Sequence, residues 1–492
     1  MQSDDPEDGR AEPGSWHART VRQKYMFSLG YRSLKLGGQA RDIADDSEVR
    51  RLPRFDPRLT PHRSKSSLSQ LKSPLLDQIE DEEVPSQQLA PQRRKKFLSP
   101  GSMLSSVFNL SSSALGAGIL SLPYAFRLSG FALGLILLSV SAAATVYSIS
   151  LLVSCRDETR LSTFEDMAVL CFGKRVSSIV DVSIIIFCFG CCVAYIVASH
   201  DIVAPILLHL FPDHPLVNQK AIIMSVIVSF VMFPLSLVEK ISSLRFSSLI
   251  GIFSICYLVV AVAVGSIMHI IRFGLPPLLP LAFRPGWATF RALSMFMFAF
   301  TCQINIFSIY TELQRPSIRR MKKVARRSTF IISLLYSIIG VFGFLHHLDR
   351  TSPDILYNYV LVSNPMMGVA QVVMGISLAL AFPYNVFPLR FTLEMALFPD
   401  SPPSQIRFHA LTIGITSSAL GIAIFAPSID RVFALLGSTT SAFVSFILPG
   451  LFYLMIFPGP WHTRDKFPAL CLCIGGFLLG LVSTIIEFMD IS

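Results

Sequence analysis

Residues 101–126 read GSMLSSVFNLSSSALGAGILSLPYAF, and the fold follows from how this stretch behaves in a bilayer. It is apolar enough to span a membrane, which takes about 20 such residues. Yet its middle holds Ser111, Ser112 and Ser113, then Gly116 and Gly118 around Ala117, with Pro123 one turn later. A helix with that centre is expected to enter the membrane and break near its midpoint. Unwound backbone is tolerated in lipid only where protein or a water-filled cavity satisfies the freed amides and carbonyls, so a break points to a binding site. Small residues also serve close helix packing, and from this stretch alone both readings stand.

The chain around it is a polytopic membrane protein by composition. Of 492 residues, 52% are hydrophobic and only 15% charged, too apolar for an ordinary soluble protein. Eighteen of the 42 Lys and Arg, and 15 of the 32 Asp and Glu, lie before Phe97. Residues 1–98 therefore form a polar, Arg-, Ser- and Pro-rich segment without a sustained period, expected to be a disordered cytoplasmic tail ahead of a transmembrane domain at 99–492. No cleavable secretory signal is expected near Met1, so the first span itself directs insertion. Arg93, Arg94, Lys95 and Lys96 precede that span, where they hold the N-terminus inside and meet anionic lipid. The net charge of +10 is spread over short loops, unlike the folded basic face that nucleic acid requires, so no nucleic-acid partner is expected.

Stretches of about 20 apolar residues, read against their Pro, Gly and charge punctuation, give eleven spans. They fall at about 101–126, 131–154, 178–210, 221–238, 242–271, 288–313, 328–345, 365–398, 406–426, 431–457 and 468–488. With the N-terminus inside, sixteen basic residues fall in internal loops and seven in external ones, which supports a cytoplasmic N-terminus and an extracellular or lumenal C-terminus. The stretch LQRPSIRRMKKVARRS at 313–328 weighs most in that comparison.

The sixth span carries the second unusual centre. MFMFAFTCQINIFSIYTEL, residues 295–313, places Thr301, Cys302, Gln303 and Asn305 mid-membrane, where polar side chains are costly unless they face partners, water or substrate. Two interrupted helices five spans apart fit an inverted five-plus-five repeat, with one extra helix, enclosing a site near the midplane.

Three motifs carry a resemblance to a known family. Residues 106–126, SVFNLSSSALGAGILSLPYAF, resemble the first helix of the amino acid/auxin permease family, in particular its neutral amino acid transporter branch. The run Phe298-Ala-Phe-Thr-Cys-Gln303 followed by Ile309-Tyr-Thr-Glu-Leu313 is similar to that family's F-x-F-x-C-H and I-Y-x-E-L patterns. Phe387-Pro-Leu-Arg390 is similar to its F-P-I-R. The wording S-S-S-A-L-G-A-G also resembles amino acid permeases of trypanosomatid parasites.

The resemblance implies a LeuT-like, all-α fold with helices one and six broken, and secondary active transport of amino acids by alternating access. Amides around Leu115 to Ile119 would then present the positive end of a half-helix to the substrate carboxylate, with Gly116 and Gly118 admitting it close to the backbone. Ser112, Ser113, Leu115, Gly116, Ala117, Gly118 and Ile119 would form one wall, and Thr301, Cys302, Gln303 and Asn305 the other. Departures bear on the coupling ion. Sodium-coupled members have Asn where Ser112 aligns and Thr where Ala381 aligns, and alanine offers no oxygen to a hard cation. Gln303 replaces the usual His. Proton coupling or exchange is therefore expected rather than sodium symport, in a plasma membrane or an internal acidic organelle membrane. The rival reading is an amino acid sensor that signals to cytoplasmic partners through its tail.

The remaining polar residues read as structural or gating groups. Arg390 and Glu394 lie four apart on one helix face, as an ion pair or inner gate; Glu312, near the inner end of span six, and Asp181 are similar. His200 and Asp201 sit roughly 33 Å along span three at ~1.5 Å per residue, near the external surface. No phosphate-binding Gly-Lys motif, zinc spacing or nucleophile elbow occurs, so no enzyme activity, metal or cofactor is expected. Cys188, Cys191 and Cys192 lack nearby His or carboxylate in sequence and read as buried small hydrophobes.

Overall fold

The computed structural model describes residues 101–489 apart from 212–214, 217–218, 238–244, 278–280, 360–364, 399–400, 403, 427 and 461–462. The tail at 1–98 and its basic cluster lie outside the described residues. The described chain is helical throughout. It runs through α1 (Met103–Ala114), a 3-10 turn (Ala117–Ser121), α2 (Leu122–Ser129), α3 (Phe131–Thr159), α4 (Phe164–Phe172) and α5 (Lys174–Leu210). Next come α6 (Lys220–Ile227), α7 (Phe233–Ser236), α8 (Arg245–Phe273), α9 (Ala288–Ala299), α10 (Ile306–Glu312) and α11 (Ile318–His347). Last are α12 (Pro365–Leu397), α13 (Gln405–Phe425), α14 (Ile429–Leu436), α15 (Leu448–Ile456) and α16 (Phe467–Met489).

Among the described residues nine helical stretches are long and apolar enough to cross a membrane, and α1 with the helix after it forms a tenth if that bent pair is one span. A shorter apolar helix, Lys220–Ser236, falls where the fourth span is expected. The protein is a multi-pass integral membrane protein.

Two local features differ from the sequence expectation. The helix expected at 328–345 begins ten residues earlier, at Ile318, with Ser317 accepting from the Arg320 amide at 3.3 Å. Its first turns hold the basic run, because Lys and Arg are good helix formers and need no burial. The loop after α3 contains α4, capped by Thr163, whose hydroxyl accepts from the Asp166 amide at 3.0 Å.

α11 is the rail against which the opening stretch is laid. Ser328 donates to the Val107 carbonyl at 3.0 Å near one end, and Tyr336 reaches the Ala114 carbonyl at 2.9 Å in the middle. Further along, Gly340 receives the ring of Phe126 and Gly343 receives Pro123; a Cβ on either glycine would come within 2.4 Å and 2.7 Å of those side chains. In lipid such contacts stabilise by dispersion and close fit rather than by expelling water, so missing side chains on one helix make room for rings on another.

Candidate functional site

The site forms where two helices stop at the same level. α1 ends at Ala114; Leu115 (ψ 94°) and Gly116 (φ −135°, ψ −156°) are extended, and the chain resumes as a 3-10 turn. The two helical segments meet at 57°. Pro123 lies in the first turn of α2, where its missing N–H leaves no helical bond unmade. α9 ends at Ala299, Cys302 is non-helical, and a 3-10 turn at Gln303–Asn305 leads into α10.

The segments flanking these interruptions pair up. α2 packs on α9 through Phe126 and Phe296, edge to face at 5.6 Å. At the opposite end the Gln314 amide, just past α10, donates to the Gly101 carbonyl at 2.8 Å. Gly101 has φ +75°, and a Cβ there would lie 2.3 Å from the Glu312 carbonyl oxygen, so only glycine fits.

Within the interruption the two candidate glycines separate. Gly118 faces the Phe298 ring and the Ala299 Cα at 3.4–3.5 Å, an ordinary packing distance. Gly116 faces the hydroxyl of Tyr195, 3.0 Å from where its Cβ would be. Tyr195 hydrogen-bonds Asn385 of α12. Beside them Phe298 stacks on Phe433 at 4.6 Å and meets Phe187 at 6.1 Å. Leu115, Ala117 and Ile119 are buried.

The polar residues of the sixth span form a network. Gln303 is fully buried; its Oε1 accepts from the Cys302 amide and from the Ser445 hydroxyl, each at 2.9 Å. Ser445 also lies 3.4 Å from Thr301 Oγ1, and Thr301 donates to the Met297 carbonyl at 2.9 Å. Ser148 donates to the Ser445 carbonyl. Gln303 Nε2 has no partner among the described residues.

Other sequence-predicted residues fall elsewhere. Asn305 is exposed, apart from the buried Thr301–Cys302–Gln303 group. Ser112 and Ser113 are partly exposed, and Ser113 donates to its own helix at Leu110. The buried serine of the triplet is Ser111, whose Oγ has no partner among the described residues. Glu312 is exposed. Arg390 is buried in α12, donates to Thr412 at 2.9 Å and lies 3.7 Å over the Phe408 ring. Glu394 lies 3.8 Å from Arg407. Among the described residues no group of three or more His, Cys, Asp or Glu is placed to hold a metal.

Tyr195, Tyr336, Asn385 and Ser445 were not singled out from sequence. Each lies on an apolar helix where one hydroxyl or amide is common, and its partner is distant in the chain. An aromatic wall was likewise invisible among 39 phenylalanines.

The fold is shared with solved transporters at low sequence identity. The inward-facing conformation of Mhp1 aligns at a TM-score of 0.55 and 14% identity, covering 79% of this chain and 89% of that one. MhsT in complex with L-phenylalanine aligns at 0.53 and 14% identity, covering 78% and 98%. In sequence, amino acid transporter AVT6A of Arabidopsis thaliana is 28% identical over 412 residues, spanning 79% of this chain and 87% of the relative. AVT6B of the same plant is 27% identical over 392 residues, spanning 75% and 85%. The family model described as transmembrane amino acid transporter protein matches residues 99–488, and the chain belongs to that amino acid permease family.

Proposed function

We propose that this chain is a secondary transporter that moves amino acids with uncharged side chains by alternating access, coupled to protons or run as an exchanger rather than driven by sodium. It would do so on eleven spans arranged as a five-plus-five inverted repeat plus one, the first and sixth broken, with a cytoplasmic N-terminus. The observation that carries this reading is that α1 and α9 stop at Ala114 and Ala299 with their last carbonyls on one buried hydroxyl, that of Tyr336, while Gln303 just beyond α9 keeps a spare buried side-chain donor. A membrane interior accepts such groups where a ligand completes them.

Roles follow from the geometry. The Leu115 and Ile119 amides already donate to Ser111 and Gly116 carbonyls, so the carboxylate falls to the amides of Gly116, Ala117 and Gly118. Gly116 would let the ligand sit against the Tyr195 hydroxyl, and Gln303 Nε2 would donate from the opposite wall. Amides, hydroxyls and aromatic rings face the break, which favours neutral side chains; the likeness to a transporter bound to L-phenylalanine is compatible with the rings of Phe187, Phe298 and Phe433. Ser112 and Ala381, standing where sodium-coupled members have Asn and Thr, support the choice of coupling.

The test is uptake of labelled amino acids into proteoliposomes at two external pH values, with sodium or choline as the salt. Uptake that responds to pH and is indifferent to the cation is expected. Saturable binding without flux would replace the transporter with the sensor that signals through residues 1–98, and a sodium requirement would overturn the coupling.

A further inference from the structure

Two helix ends point at one atom. α1 and α9 finish at Ala114 and Ala299, and the carbonyl oxygens of these last residues lie 2.9 Å and 3.0 Å from the hydroxyl of Tyr336. Each helix end carries roughly half a negative charge, and its final carbonyls lack helical partners. Where interrupted helices of transporters converge in this way, half-helix ends and unwound carbonyls coordinate the coupling cation. We infer that in this chain the Tyr336 hydroxyl takes the place of that cation, tying the two helix ends with a donor fixed covalently to α11.

The tyrosine is built in. It is fully buried, and its ring meets Phe300 edge-on at 5.4 Å. One turn further along α11, Gly340 lets Phe126 press against the backbone, which fixes α11 beside α2 and sets the height of the hydroxyl. Cys302 and Tyr195, both neutral side chains, lie near it among the described residues. A hydroxyl has one proton for two carbonyls, so it holds them more weakly than an ion would, but as part of a side chain it cannot leave the site for solvent as an ion can. This position then adds no ion dependence to the cycle. Any gradient that drives transport has to act elsewhere. Ser111, one turn before Ala114 on α1, carries a buried hydroxyl oxygen with no partner among the described residues, and the double variant below asks whether it can serve a cation admitted to the emptied position.

The inference deepens the transport reading and rests on it for the location of the site, so the experiment has one arm that does not need transport. The full-length wild type, Tyr336→Phe and the double variant Tyr336→Phe/Ser111→Ala are purified. Their thermal midpoints are compared in sodium and choline chloride, and uptake of a labelled neutral amino acid is followed in the same two salts. The wild type is expected to show equal midpoints and equal uptake in both. Tyr336→Phe should fall about tenfold in choline, as expected for a lost buried hydrogen bond, recover severalfold in sodium, and melt higher in sodium; removing Ser111 as well should abolish the sodium response. Wild-type uptake by Tyr336→Phe in choline, a sodium-raised midpoint of the wild type, or a loss equal in both salts would overturn the inference, the last marking a merely structural tyrosine. If the wild type moves no amino acid in either salt, the transport reading fails, and the midpoints still decide the role of Tyr336. Should Tyr336→Phe not fold, Tyr336→Ser is compared in the same way.

Discussion

Ser445 gives its hydroxyl proton to Gln303 Oε1 at 2.9 Å, joining two residues 142 positions apart and leaving Gln303 Nε2 as the spare donor of the site. Replacing Gln303 with Leu strands the Cys302 amide, leaves the Ser445 hydroxyl only its longer contact to Thr301 at 3.4 Å, and removes that donor. The expected result is a fall in uptake of about tenfold to a hundredfold, the range that an unsatisfied buried polar group commands. Ser445→Ala should cost less, because Gln303 keeps its bond to Cys302. A higher KM in Gln303 variants, read from concentration dependence, would place Nε2 on the substrate; a fall in maximal rate alone would not.

Gly116 and Gly118 look alike in sequence and should behave differently when methylated. A Cβ at Gly118 meets Phe298 at an ordinary 3.4 Å, so Gly118→Ala should retain most uptake. At Gly116 it would lie 3.0 Å from the Tyr195 hydroxyl, in the space assigned to the ligand. Gly116→Ala should reduce uptake about tenfold or more, with the Tyr195 hydroxyl displaced by a few tenths of an ångström to admit the methyl group. The same loss at both glycines would return the stretch to a packing role.

A buried ion cluster ties three helices. Arg291 of α9 lies 3.2 Å from Asp430 of α14 and 3.0 Å from Glu487 of α16, with all three side chains at most 10% exposed. Removing one member leaves charge without its counter-ion in a place where water cannot replace it. Arg291→Met should destabilise by about 3–5 kcal/mol, seen as a lower midpoint and poorer recovery of folded protein. Arg291→Lys should also lose stability, since a point charge cannot fork to two carboxylates.

Glu165, on α4 between α3 and α5, is pushed up to about 7 by burial, reinforced by the charges of Asp181 and Asp166 and opposed by its hydrogen bonds. Its carboxyl binds its proton more tightly folded than unfolded, so stability falls as pH rises from about 4.5 to 7 and the penalty is complete above that. Glu165→Gln should raise the midpoint at pH 8, by about 1–3 kcal/mol of stability, and change little at pH 4.5. A midpoint difference that did not vary with pH would place the effect in packing.

The helix ends that frame the candidate site follow features local in the sequence, for reasons that lie in the residues. The serine–glycine–proline run marks 111–118, and α1 stops at Ala114; the polar run marks 301–305, and α9 stops at Ala299. Both are local conflicts between an apolar span and residues that favour other backbone shapes, so sequence alone carries them. What could not be read is which groups complete the conflict. Tyr336 serves carbonyls 222 and 37 positions away, and Ser445 serves Gln303 from another helix. Nothing near either residue announces it. α4 is the reverse case: Thr163 followed by Asp166 is a cap signature in plain view, in a segment too short and too charged to count as a span.

One peptide hydrogen bond remains, that from the Gln314 amide to the Gly101 carbonyl, where the first and sixth spans begin and end. If the protein works by moving these segments, that single proton is a clock for the stroke. While α1 and α10 travel together it stays shielded; each time they part it is exposed to solvent and can be traded for deuterium. The exchange rate at Gln314, followed with and without substrate, would report how readily that end of the molecule opens, without substitutions or flux.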